Sequence, residues 1–546
     1  MLMRGMAWCA IVLAAGLAWG EAPAAEARAK ALMTAEVRPS AYVFTGKDFP
    51  KFDFEDTRLG AEMLGKYTVN TRFYGANGRP VDAPGDPGRY GAVVEITGED
   101  GTKLTRYRTL FKAGDGYDAK LQAYWEPGKA LHFGNGVPVV PRDAWTAWPA
   151  DGHRFYSAQA QYAMKDGQDL AILAAGATDL AQDPWVVDRQ WWVKLKRALY
   201  KNKTELDVDF VCPTAYGDTH APVLREGSCA EAGMKPEASE ELDKLLAEWA
   251  AESGEPFGVA LARNGVVYLH KAYGTRDGAP MTTETPTWMA SISKFMSSTL
   301  MWLLVDRGFV KLEDPIEKYL PALRYSPRER PLCVRDLYTH TNGLALDITL
   351  PGHYVNHWGD EMHDLDEVLA GYYAYLNVAK EPTYNGVGYA IGGKIIELVT
   401  GEALPNFYRH HLLDPLHMDH TYVVDGSAAT RSIPMDMAKL GQMILNKGAY
   451  GDMRFFSEET YAKVLPKRLT ESLGEDTKVV WGIGITPMPA EGLSEQTFGH
   501  GAASAAIFRI DPVKGHVIVQ TRDVAGAKYE EFNKKFFKRI GELTAE

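Results

Sequence analysis

Ser291 and Lys294 place a hydroxyl and an amine three residues apart in the run Trp288-Met289-Ala290-Ser291-Ile292-Ser293-Lys294-Phe295-Met296. On a helix this spacing stacks the two side chains on one face. A serine hydroxyl is a poor nucleophile until a neighbouring base takes its proton, and a desolvated lysine is a suitable partner for it. If the helix begins at Ser291, its first-turn N–H groups have no partners inside the helix and can stabilise a developing oxyanion. Ser and Lys fall at this spacing by accident about once or twice in a chain of ordinary composition and this length. Here it happens once.

The elements around the pair give it weight. Phe295, Met296, Leu300, Leu303 and Leu304 are apolar on more than one face, the pattern of a helix buried within a domain, and Asp306-Arg307-Gly308 closes it with a glycine stop. A lysine at the mouth of such a helix has to be paired, neutralised or functional.

The chain has 546 residues, a formal charge of −12 and 46% hydrophobic residues. That is enough for roughly two or three domains with proper cores. The acidic balance argues against nucleic acid as a partner, because phosphate binding needs concentrated Lys and Arg. One short basic run, Lys194, Lys196, Arg197, Lys201 and Lys203, falls on an amphipathic helix pattern with Trp185, Trp192, Leu195 and Leu199 on one face. It reads as a solvated helix face. Arg4, the apolar stretch Met6 to Ala18 and the small residues Ala22, Ala24, Ala25 and Ala27 predict a cleaved signal over residues 1–25, hence a periplasmic or secreted protein. The apolar run is shorter than the ~20 residues of a spanning helix, so no stable membrane span is expected. An exported chain is free to oxidise cysteines. Cys212 and Cys229 flank a Pro- and Gly-containing loop, and a bridge between them would stabilise the region by roughly 3 kcal/mol. Cys333 reads as a small buried thiol.

Residues 35–231 are rich in aromatics, Gly and alternating patterns such as Tyr90 to Thr97 and Leu104 to Phe111, which predicts a β-rich N-terminal domain of unknown role. Its Trp125, Trp145, Trp148, Trp185, Trp191 and Trp192 read as core packing. From residue 235 to 546 the texture changes. A helix with Leu242, Leu245, Leu246 and Trp249 on one face leads into Phe257 to Arg263, a tight Asn264-Gly265 turn and Val266 to Tyr273. The far end mirrors it, with strands at about Ala503 to Ile510 and His516 to Arg522. A final helix carries Tyr529, Phe532, Phe536, Ile540 and Leu543 on one side. Terminal helices over an antiparallel sheet, with helices inserted between, predict an α+β fold.

Three further segments join the first: Arg335-Asp336-Leu337-Tyr338-Thr339-His340-Thr341-Asn342-Gly343-Leu344, Tyr384-Asn385-Gly386-Val387-Gly388-Tyr389 and Phe498-Gly499-His500-Gly501-Ala502-Ala503-Ser504. With Ser291 and Lys294, in this order, they resemble the serine β-lactamase and penicillin-binding-protein family. The likeness is greatest to the branch holding class C β-lactamases, D-amino-acid peptidases and related esterases. It extends from about Lys235 onward, includes Leu312-Glu313-Asp314-Pro315 and Tyr319-Leu320-Pro321, and leaves the N-terminal region uncovered. The resemblance implies a β-lactamase/transpeptidase-like domain, an antiparallel sheet flanked by helices. In it Ser291 is the acylated nucleophile, Lys294 its amine partner and Tyr384 the proton shuttle to the leaving group. His500 stands where many members have Lys, and the oxyanion donors are the N–H groups of Ser291 and Ala503.

Two departures bear on substrate. The family's Tyr-x-Asn becomes Tyr384-Asn385-Gly386, so the amide that contacts substrate is displaced by one to Asn385 or is missing. The Lys-Thr-Gly or His-x-Gly segment becomes His500-Gly501-Ala502, which adds a methyl where close approach is normally kept open. Histidine is also mostly neutral at pH 7 and a weaker partner for a carboxylate than lysine. These changes count against β-lactams more than against acyl transfer. The expectation is a serine hydrolase working through an acyl-enzyme on an ester or small amide, with no metal or organic cofactor. Its partner is a small-molecule or peptide substrate, which could derive from the cell wall. The alternatives are a D-amino-acid peptidase, a DD-carboxypeptidase, a β-lactamase, or a binding or sensor protein that kept the fold without the chemistry. His410, His411, His417 and His420 lack the acidic ligand spacing of a metal site. His340 reads as part of a turn ending in Asn342-Gly343.

Overall fold

The structure is a computed structural model. It describes residues 36–55, 67–98, 101–118, 123–125, 131–133, 138–139, 184–200, 210–321, 330–343 and 381–545, apart from single or paired positions within these ranges. The expected signal at 1–25 and Trp145 and Trp148 lie outside them.

The N-terminal region is built on an antiparallel meander of β1 (Tyr67–Gly75), β2 (Gly88–Gly98) and β3 (Lys103–Lys112), extended by Pro80–Val81 beside β1 and Val43–Phe44 beside β3. Alternation along β2 divides its side chains between two cores, as a period of two requires. Ala92, Val94 and Ile96 join Val37, Phe44 and Leu110 on one face. Val93 joins Tyr74 and Tyr107 on the other, under Trp192 and Leu195 of helix α1 (Pro184–Leu199).

Of the basic run expected on a solvated face, Lys194 is exposed but Lys196 is buried, its ammonium 4.5 Å from the Tyr107 ring centroid and 5.5 Å from that of Tyr200, because β3 covers it; Lys201 and Lys203 lie outside the described residues. Helix α1 is also held through Arg189 and Gln190. Arg189 pairs with Glu397, and Gln190 donates to the Gly401 carbonyl and accepts from the Ala403 N–H, each at 2.8 Å. Glu397 is wholly buried and also lies 3.6 Å from Lys394.

The C-terminal region is organised on a seven-stranded sheet. From one edge to the other it runs β4 (Arg225–Glu226), β6 (Val266–Tyr273), β5 (Phe257–Arg263), β10 (His516–Thr521), β9 (Ile507–Asp511), β8 (Phe498–His500) and β7 (Thr486–Pro487). All neighbours pair antiparallel except β4 with β6. The β5–β6 hairpin turns at Asn264 and Gly265 with φ of 52° and 82°, as a tight two-residue turn demands. Val259 and Leu261 face helices α2 (Ala238–Ser253) and α7 (Tyr529–Leu543). Ala260, Ala262, Phe508, Val517 and Val519 face a larger core formed with α3 (Ile292–Asp306), α5 (Val387–Thr400) and α6 (Pro434–Leu445). Every residue of α3 from Ile292 to Leu304 is buried.

Three expectations are corrected. The strand expected from Ala503 begins only at Ile507. The β8–β9 ladder ends at His500 opposite Phe508, and residues 502–505 turn, the Ala505 N–H donating to the Ala502 carbonyl at 2.9 Å. Cys212 and Cys229 are not bridged. Cys212 lies in the larger core with its thiol 3.6 Å from the Phe455 carbonyl, and burial pushes that thiol up to about 12; Cys229 packs against the other core. Cys333 is half-buried rather than enclosed, at the start of α4 (Val334–Tyr338), where the Asp336 carboxylate accepts its N–H. Among the described residues no helix is long and apolar enough to cross a membrane.

Candidate active site

Ser291 occupies the position just before α3, and Ala290 preceding it has a left-handed backbone at φ 46°. A bulky or β-branched residue would be strained there. The bend delivers Ser291 to the helix mouth in a half-buried position. The N–H groups of Ile292, Ser293 and Lys294 donate to the carbonyls of Met289, Ala290 and Ser291. No backbone acceptor takes the Ser291 N–H among the described residues, which leaves it suited to an oxyanion.

One turn on, Lys294 is only 3% exposed. Its ammonium donates to the Ser427 carbonyl at 2.8 Å and lies over the rings of Tyr384 and Tyr389, 5.1 and 5.5 Å from their centroids. A desolvated cation against aromatic faces gains about 2 kcal/mol per good contact, part of what offsets its burial.

Tyr384 completes the trio. It comes from the segment before α5, is 44% exposed, and its phenol lies beside Ser291, close enough for that side chain to lower its titration. Partial burial raises this phenol above its ordinary range and the Ser291 side chain lowers it; the net shift is upward, so the resting group is protonated. Hydroxyl, amine and phenol, 93 positions apart at the extremes (291 to 384), therefore meet at one end of α3.

The same contacts reach the third segment. The His500 ring lies 6.2 Å from that of Tyr384, and its Nδ1–H donates to the Gly501 carbonyl at 2.6 Å. His500 is 4% exposed; burial first, and the nearby Lys294 charge, pull its imidazole down to about 4. At neutral pH it is an uncharged ring. Gly501 and Ala503 are exposed, Ala503 within the turn after β8, and its N–H has no backbone acceptor among the described residues.

Asn385 does not have its side chain free for substrate. It is buried, its carbonyl oxygen accepts the Gly388 N–H at 3.2 Å, and its amide donates to Thr383 O and Asn342 Oδ1 at 2.7 and 3.3 Å. It ties the Tyr384 segment to α5 instead. Close approach at the third segment falls on Gly499 rather than at 501 and 502. A Cβ on Gly499 would lie 2.1 Å from the Phe508 carbonyl oxygen, whereas one on Gly501 would meet nothing nearer than Met488 Cε at 4.0 Å.

Two residues that the sequence reading left out of the site are at it. His340 is 1% exposed, its ring 4.3 Å from that of Tyr384, and Trp481 sets its edge against His340 at 5.4 Å and 88°. Burial, with Lys294 and His500 nearby, depresses His340 to about 3, so it too is neutral. The histidines at 410, 411, 417 and 420 form no metal-holding group among the described residues. His410 and His411 both sit on Glu402 at 3.3 and 3.4 Å.

A two-sided helix-covered sheet with Ser, Lys and Tyr converging at its edge defines a serine-hydrolase fold of the β-lactamase/transpeptidase type. The Beta-lactamase family model matches residues 257–521, and over this span the chain is similar to the serine β-lactamase and penicillin-binding-protein-like family. A protein of Escherichia coli (strain K12), provisionally named a D-alanyl-D-alanine carboxypeptidase, is 24% identical over 376 residues, 55% of this chain and 85% of its own length. A penicillin-binding protein homologue from Caulobacter crescentus superposes with a TM-score of 0.47 at 17% identity, over 57% of this chain and 99% of that one. A family VIII carboxylesterase does so with a TM-score of 0.46 at 16% identity, over 56% and 99%.

Proposed function

We propose that this protein is an exported serine hydrolase that forms an acyl-enzyme on Ser291 and acts on an ester or small amide. The observation that carries this reading is the convergence at the mouth of α3 of Ser291 with Lys294, whose side-chain nitrogen lies 5.1 Å from the centroid of the Tyr384 ring. With Lys294 in its neutral amine form, Ser291 Oγ attacks the substrate carbonyl carbon and its proton passes to that amine, directly or through the Tyr384 hydroxyl. The Ser291 N–H, with that of Ala503, takes the oxyanion. The tetrahedral intermediate collapses as the C–O or C–N bond to the leaving group breaks, and Tyr384 returns the proton to that group. Water then attacks the acyl carbon and gives its proton to the same pair; the bond to Ser291 Oγ breaks as the pair passes that proton to the serine oxygen, and the acid leaves. Each oxyanion donor is typically worth about 3 kcal/mol of barrier.

The neutral state of His500 favours ester over carboxylate-bearing peptide, because the third segment offers no fixed cation to a substrate carboxylate. Ser291→Ala should abolish both turnover of p-nitrophenyl esters and the mass increase produced by a fluorophosphonate. Retained ester cleavage in that variant would refute the assignment. In the wild-type protein, fast cleavage of D-alanyl peptides or nitrocefin with slow ester cleavage would shift the substrate class to that of a peptidase or β-lactamase. No adduct and no turnover with any of them would favour a binding protein.

A further inference from the structure

His340 holds the Tyr384 segment at both flanks. Its carbonyl accepts the Thr383 N–H at 2.8 Å, and its ring Nδ1 accepts the Asn385 N–H at 3.2 Å. Between these two bonds its ring lies over that of Tyr384, 4.3 Å away and inclined by 33°. The ring is itself braced by Tyr389 at 5.4 Å and by the edge of Trp481 at 5.4 Å. The backbone at His340 is left-handed, φ 60°, which is uncommon for a residue other than glycine and turns carbonyl and ring toward one segment. Residues held in such conformations persist where the surroundings over-determine them, and they gather at functional sites.

The tautomer follows from the hydrogen bond. An Nδ1 that accepts carries no proton, so the neutral ring bears its proton on Nε2, and Nε2 is buried with no hydrogen-bond partner among the described residues. A protonated ring would lose the acceptor that holds Asn385.

We infer that His340 is a positioning residue: through both neighbours and the ring of Tyr384 it fixes the phenol at the angle from which it returns a proton to the leaving group. This rests on the reading of Ser291 and Tyr384 given above. His340 touches Tyr384 and not the reacting atoms, and the Ser291 proton can pass straight to the Lys294 amine, so what its removal disturbs most is the return of a proton by Tyr384. Proton return matters for a poor leaving group such as an alkoxide and little for p-nitrophenoxide, which departs as an anion.

The experiment compares kcat/KM on an ethyl ester and a p-nitrophenyl ester of the same acid for the wild type, His340→Ala, His340→Phe and His340→Asn. In the Ala and Phe variants the ethyl ester should lose about 30-fold or more, within the range of general acid catalysis, and the p-nitrophenyl ester less than about threefold. Asn tolerates the left-handed backbone and can offer an oxygen near the place of Nδ1. It should recover most of the ethyl ester rate. Equal losses on both esters, or no loss on either, would overturn the inference. If Ala fails to fold, Phe, which keeps the ring, decides by the same ratio. Ser291→Ala run alongside separates the two levels: its loss of both esters upholds the nucleophile whatever His340 does, and its retention of them removes the ground on which the inference stands.

Discussion

The two walls of the cleft differ in how they are held. One wall, the mouth of α3 with the Tyr384 segment, is fastened at several points: Lys294 to Ser427, Thr383 and Asn385 to His340, Asn385 to α5. The other wall is the end of a three-residue strand, β8, which passes at His500 into an exposed turn. Proton transfer tolerates little misplacement, so the groups that manage it belong on the fastened wall. The turn at 501–505 is the place where selectivity can vary without disturbing them.

The largest break in this contrast should come from Lys294→Met, which keeps an apolar stem of similar length and removes the ammonium. We expect kcat for ester hydrolysis to fall by about a thousandfold, as loss of a base partner typically does, with KM little changed. A loss below about tenfold would mean that Lys294 is only packing.

A second test bears on both walls at once. His340 and His500 have depressed values, about 3 and about 4, against 6.5 in the unfolded chain. Between pH 6.5 and 4 the unfolded chain binds protons that the folded one does not, so stability is full above 6.5 and is lost as pH falls through that window. His500 alone contributes on the order of 3 kcal/mol to the slope. Urea unfolding followed from pH 7 to 4 should show the decline, and His500→Asn should flatten it. An unchanged slope in that variant would place the proton uptake elsewhere.

The smallest effect sharpens the role of the looser wall. His500→Lys puts a permanent cation at the end of β8 and should raise kcat/KM for a substrate bearing a carboxylate about tenfold relative to its methyl ester, the scale of a modest charge contact. A ratio that does not move would mean that substrate carboxylates do not reach this wall.

Much of what converges at the candidate site could be read directly from the chain. Ser291 and Lys294 are local, and Tyr384 and His500 lie in short segments whose order carries the resemblance. His340 escaped because its meaning is set by partners at 383–385, across more than 40 positions, and by a backbone angle that composition does not display. The strand expected from Ala503 failed because small apolar residues suit a tight turn as well as a strand, and only the end of the β8–β9 ladder decides between them. The disulfide failed for a topological reason: closeness in sequence says nothing of which core each cysteine enters. Lys196 looked solvated because Tyr107, which covers it, comes from β3. The hairpin at Asn264-Gly265 and the terminal helices were legible because their signals are short-range or strictly periodic.

The pairing of Arg189 with Glu397 reaches beyond architecture. Expressing residues 235–546 by themselves would strip a fully enclosed carboxylate of its guanidinium and leave it with Lys394 and the Leu404 N–H, together with an uncovered patch where Gln190 had met Gly401 and Ala403. Anyone wishing to work with the C-terminal half in isolation should carry the segment around 184–200 along with it, or neutralise position 397 first.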